Sequence, residues 1–214
     1  LQISGSAGIP ADATAVMLNM TGTEATAAGF VTVFPAGATR PEVSNHNLVA
    51  GQTRANLVTV AVGAGGKVSV FTQSGTHLVV DVVGYYAAPT GTAGRFTALT
   101  PSRLLDTRLT TKVAPQGTAI VPVLGRAGVP ATGVSSVLVN LTATDADGAG
   151  FLTAHASGTT RPPTSNLNVE RRGGTASNLA VVPVGADGSI SVFSQRGAHV
   201  VVDIAGYYGD ATAR

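Results

Sequence analysis

Along most of the chain, apolar and polar residues alternate in short bursts. Runs rich in Val, Thr, Ile and Phe are broken by Gly, Pro, Asn and Asp about every 8 to 12 residues, and no segment sustains a helical apolar period. In the first half this pattern predicts strands over 15–21, 29–35, 44–49, 56–62, 67–73 and 76–85. Such spacing argues for an all-β fold of antiparallel β-sandwiches with Greek-key or jelly-roll-like connections. The last two strands, joined by Ser74-Gly75, are predicted to form a hairpin, as are their later equivalents joined by Arg196-Gly197, with Gly supplying a positive φ. That register sets Phe71 across from Leu78 and Val68 across from Asp81. It puts Leu78, Val80 and Val82 on one face, and His77, Val79, Asp81, Val83 and Tyr85 on the other.

The pattern occurs twice. AGIP at Ala7 returns as AGVP at Ala127, LNMTGTEATAAGFVT at Leu18 as VNLTATDADGAGFLT at Val139, and TRPEVSNHNL at Thr39 as TRPPTSNLNV at Thr160. HLVVDVVGYY at His77 returns as HVVVDIAGYY at His199. Two tandem β-sandwich domains follow, 1–90 and 91–214, each near the size at which one core suffices. The joint between the copies opens as a Pro/Gly/Thr linker. Its RFTALTPSRLLDTR stretch, from Arg95 to Arg108, is too structured for a tether, because Leu99, Leu104 and Leu105 need cover. No such stretch precedes the first copy, and the pattern leaves open which domain this one packs on.

TPSRLLDTR at Thr100, followed by AGVPA, VNLTAT, SNLNV and a terminal VVVDIAGYY, resembles a repeat of secreted actinobacterial proteins. In that family the repeat often accompanies hydrolase domains, including cell-wall amidases and proteases, and itself carries no established activity. The resemblance covers almost the whole chain and implies an accessory, non-catalytic, extracellular role. Family members often carry a Cys pair at the positions of Ala36 and Ser69, or of Ser157 and Ser191, so here packing must replace any cross-link.

Composition agrees with a weakly charged β protein. Of the 214 residues 44% are apolar and 11% charged, with a net charge of +2, which argues against disorder. Apolar runs are cut by Asp81, Asp203, Gly or Pro before they reach the length of a membrane-spanning helix. The chain opens at Leu1 without a signal-peptide pattern, as a mature or trimmed fragment of a larger secreted or cell-surface protein would. With no cysteine, thiolate metal sites and cysteine nucleophiles are excluded. Thirteen basic against eleven acidic residues make no nucleic-acid footprint.

Candidate chemistry is sparse. His77 and Asp81 share a strand face but lie about 13 Å apart along it, too far for a proton-sharing dyad. His46 and His155 are unmatched between copies, since Leu167 and Phe34 stand at the equivalent positions, so neither a metal nor a cofactor is expected. Asp81 and Asp203 are expected to be partly buried carboxylates held by arginine. Arg40 and Arg161, in the repeated TRP motif, explain a repeated Asp better than Arg103 or Arg108, although RLLDTR has the look of an Arg/Asp clasp centred on Asp106. Asn45 and Asn47, with Asn166 and Asn168, suit either sugar hydroxyls or loose backbone at a sheet edge. Tyr86 and Tyr208 suit stacking on a sugar ring or an aromatic plug at the domain end. NMT at Asn19 and NLT at Asn140 match glycosylation acceptors by chance, and GAGG at Gly63 lacks the Lys and helix of a phosphate loop. The expected function is a non-catalytic module binding cell wall, polysaccharide or another surface polymer. A stalk, spacer or self-associating element is the alternative, and a hydrolase is weakest, because no nucleophile, base and orienting group come together.

Overall fold

The computed structural model describes residues 1–42, 44–88 and 93–210. Part of the expected Pro/Gly/Thr linker, 89–92, lies outside the described residues. The chain divides into two compact units, Leu1–Ala88 and Pro89–Arg214. Both are all-β.

The first unit contains β1 (Ala15–Thr23), β2 (Gly29–Pro35), β3 (His46–Leu48), β4 (Arg54–Ala61), β5 (Val68–Thr72) and β6 (His77–Tyr86). They form two antiparallel three-stranded sheets, ordered β4-β1-β6 and β3-β2-β5. Alternation along the strands sends Val16, Leu18 and Met20 of β1 to meet Val31 and Val33 of β2 in one buried cluster, with Val58, Val60 and Val68. That shared core makes the two sheets a sandwich.

The second unit contains β7 (Phe96–Asp106), β8 (Gly117–Pro122), β9 (Val134–Thr144), β10 (Gly150–Ala156), β11 (Leu167–Val169), β12 (Ala176–Pro183), β13 (Ser189–Ser194) and β14 (His199–Gly209). Its sheets run β12-β9-β14-β7 and β11-β10-β13-β8. Every strand from β9 to β14 repeats one from β1 to β6. The additions are β7, paired with β14, and β8, paired with β13, so the PSRLLDTR segment packs on the second unit.

The predicted hairpins do not form. β5 pairs with β2, while β6 pairs with β1, so Ser74-Gly75 crosses from one sheet to the other. Phe71 therefore lies across from Thr32, Val68 from Pro35, Leu78 from Gly22 and Asp81 from Asn19. A short loop with Gly between two β runs signals a reversal of the chain, and a sandwich corner reverses it as well as a hairpin does. Gly197 has φ 82, as a tight turn demands, and Gly75 does not have a positive φ. Leu78 and Val80 pack on the core, Val82 of the same face is exposed, and a bulge follows it, between the partners of Leu18 and Met17.

Candidate functional site

RLLDTR is explained residue by residue on the edge of the second unit. Register places Arg103 opposite Asp203, and its guanidinium donates to that carboxylate from Nε at 2.5 Å and from Nη2 at 3.3 Å. Nη1 of Arg103 donates to Asp106 Oδ2 at 2.8 Å. Arg108 grips the same carboxylate from Nε at 2.9 Å and from Nη2 at 2.6 Å, and its backbone N–H donates there at 3.1 Å. The result is an alternating ladder, Asp203–Arg103–Asp106–Arg108, in which each inner charge has two opposite neighbours. Hydrogen bonds from Arg108, ahead of the charges of both arginines, hold the Asp106 carboxyl far below the usual carboxylate range. Between the charged residues, Leu104 enters the core and Leu105 packs partly against it. Buried Thr107 accepts the backbone N–H of Val200 at 2.7 Å, tying the end of β7 to β14.

Lys112 adds a second tie that the sequence reading missed. It donates to Asp145 Oδ2 at 2.8 Å and to Asp147 Oδ1 at 3.0 Å. The Asp-x-Asp pair has Glu24 and Thr26 as its first-copy counterparts, so the charges differ where the lysine segment is lacking.

In the first unit, β6 pairs with β1 alone among the described strands. Asp81 occupies the position of Asp203, yet no side chain among the described residues pairs with it, and burial alone raises its carboxyl pKa. Arg40 is not its partner, nor is Arg161 that of Asp203. Both guanidiniums lie instead over phenylalanines, Arg40 at 3.8 Å from the Phe71 ring centre and Arg161 at 4.2 Å from that of Phe193. Each ring has a tilted aromatic neighbour on β2 or β10, Phe30 at 5.9 Å and Phe151 at 6.1 Å. The repeated TRP motif thus reads a repeated aromatic pair, not the repeated aspartate.

The asparagines are mostly committed to backbone. Asn45 Oδ1 accepts Val33 N–H, and Asn166 Oδ1 accepts Ala154 N–H, each at 2.7 Å. Their own carbonyls accept from Asn56 Nδ2 at 2.6 Å and Asn178 Nδ2 at 2.7 Å, a repeated amide brace that sequence reading overlooked although NL recurs at both sites. Asn47 is exposed, while half-buried Asn168 accepts from Ser165 at 3.3 Å. Tyr208 is 9% exposed and lies 5.1 Å from Phe96 of β7, so it is a plug and not an open stacking surface. Tyr86 is 37% exposed, and its hydroxyl contacts the Met17 sulfur at 3.5 Å. No group of three or more potential metal ligands occurs among the described residues.

No family model, curated protein or solved structure matches the chain.

The two aspartates are expected to respond oppositely to substitution. Asp203→Ala removes one end of the ladder and should destabilise the second unit by about 1 kcal/mol, a value kept small by the half-exposed Arg103. Asp81 has a folded pKa above its unfolded value, so it favours the fold only below about pH 4, and that contribution is lost as pH rises through the folded pKa. Asp81→Asn should therefore leave the first unit unchanged or slightly more stable at pH 7. Thermal melts of both variants check this, and an equal fall in both would show that Asp81 has a stabilising partner.

Proposed function

We propose that the chain is a non-catalytic accessory module of a secreted protein, in which the tandem units act as a structural spacer at the cell surface. The observation that supports this reading is where the repeated polar side chains are spent. Asn45, Asn56, Asn166 and Asn178 brace backbone, and Arg40 and Arg161 cover phenylalanines. A repeat that consumes its polar residues internally records the needs of its fold more than those of a ligand.

A second reading, binding of cell wall, polysaccharide or another surface polymer, is favoured by one feature. A hollow of about 300 Å3 lies beside the first unit's aromatic pair, lined by Phe30, Arg40, Pro41, Glu42 and Ser44. An aromatic face next to a guanidinium can stack on and hydrogen-bond a sugar. Pull-down on purified sacculi and a polysaccharide panel separates the two readings. A spacer is not retained at micromolar protein; retention abolished by Phe30→Ala would replace the spacer with a polymer-binding module.

A further inference from the structure

The chain passes into and out of the second unit's β12-β9-β14-β7 sheet at one point. Gly94 donates its N–H to the Gly209 carbonyl at 2.8 Å, Gly209 donates to the Arg95 carbonyl at 3.0 Å, and Phe96 stands opposite Tyr208. From this junction β7 and β14 run antiparallel. Tension carried by the residues before Gly94 and after Asp210 therefore acts along the hydrogen bonds between the two strands, which meet the load one pair at a time. β7 is the strand that yields, because among the described strands it pairs with β14 alone, whereas β14 is held by both β7 and β9.

β7 has two unequal parts. Next to the junction, Phe96, Thr97 and Ala98 pair with Tyr208, Tyr207 and Gly206, and then the register breaks: Leu99, Thr100 and Pro101 have no register partner on β14. Pro101 has no N–H to give one. Phe96 is 45% exposed and Leu99 half-buried, so this part is lightly anchored. The part beyond it is not. Leu104 enters the core, Arg103 bridges Asp203 and Asp106, Arg108 grips Asp106, and Thr107 accepts the Val200 N–H. Exposed ion pairs add little to equilibrium stability. Set where a peeling strand has to pass, they raise the barrier to opening, and that barrier governs lifetime under load.

We infer that the Arg-Leu-Leu-Asp-Thr-Arg clasp is a mechanical stop. Under tension the first part of β7 unzips from β14, and the clasp halts the peel at Arg103, giving the unit a short reversible extension before it unfolds. Opening Gly94 to Ser102 frees about 30 Å of extended chain. Leu104, the first buried residue of β7, stays in place meanwhile. The inference rests on the spacer reading for its use under load. Pulling decides the clasp and retention on sacculi decides the spacer, so either can fail alone.

The test uses the full chain, which has no cysteine, so two introduced thiols define the pulling axis. With handles on Ala93→Cys and Ala213→Cys, residues 1–92 lie outside the loaded path. Optical tweezers should then record a reversible lengthening of about 30 Å below the force of full unfolding. With handles on Leu109→Cys, a position 83% exposed, and Ala213→Cys, the load enters beyond the clasp and runs along β14. Its hydrogen bonds then share the load, so the early step should vanish and rupture should need more force. Arg103→Ala, or about 1 M salt without that substitution, should shorten the lifetime of the clasped state at fixed force at least about fivefold and leave the early step in place. The salt measurement keeps the clasp residues, so a folding defect cannot imitate it. A single all-or-none rupture between Ala93 and Ala213 would overturn the assignment. Equal rupture forces along the two axes, or a lifetime indifferent to both Arg103→Ala and salt, would overturn it as well.

Discussion

Replacing Leu104 by Ala is expected to destabilise the second unit by about 2–3 kcal/mol and to leave the first unit's unfolding transition in place. Leu104 is 6% exposed and belongs to the second unit's own buried cluster, which has no member in the first unit's cluster. Truncation removes its methyl groups from that core and leaves a hole at the sheet edge, where β7 relaxes more freely than a central strand, hence a figure at the low end for Leu→Ala. The loss should exceed that of cutting the ladder at Asp203, because Leu104 sits between Arg103 and Asp106 and fixes both. In calorimetry the second unit's transition should fall by roughly 10 °C. Movement of both transitions together would show that the units unfold as one, and an unchanged second transition would show that β7 contributes little to that core.

Much of this architecture was legible in the chain. The strand spacing located β1 to β6 within about two residues, because alternation and Gly/Pro/Asn punctuation are local signals. What the pattern lacked was pairing. Ser74-Gly75 is the same two residues in a hairpin and in a sandwich corner, and only the position of β1 beside β6 decides between them. The candidate site failed in a more instructive way. A repeated Asp was assigned a repeated Arg, on the premise that both copies satisfy it alike. They do not: Arg103 occurs once because β7 occurs once, and Asp81 is left with its charge partly desolvated. The difference between the copies carried the information, and so did the exchange of Asp145 and Asp147 for Glu24 and Thr26. Asn45 and Asn166 stand in the pattern as binding candidates for sugar hydroxyls as much as for backbone, and it cannot show that they bond Val33 and Ala154, which lie more than ten residues away.

His46→Leu should stabilise the first unit by about 1–2 kcal/mol at pH 7 and remove a mild-acid weakness that the second unit lacks. His46 is 3% exposed, and its Nε2 has no hydrogen-bond partner among the described residues, so the fold carries a desolvated polar atom. At the equivalent position stands Leu167, wholly within the second unit's core. Burial lowers the imidazole pKa, a hydrogen bond with the Arg54 backbone opposes it, and the Arg54 charge lowers it further. In the unfolded chain His46 takes up its proton near pH 6.5. Between that value and the lower folded pKa the unfolded state binds more protons, so stability rises with pH across this window. The contribution of neutral His46 is fully present above about pH 6.5 and is lost as pH falls through the folded pKa. Denaturant midpoints measured from pH 7.5 down to pH 5 should therefore slope for the first unit of the native chain and flatten in His46→Leu. The half-exposed Asp81 does not mimic this, because its raised folded pKa gives a slope of the opposite sign: protonation of its carboxyl favours the fold as pH falls.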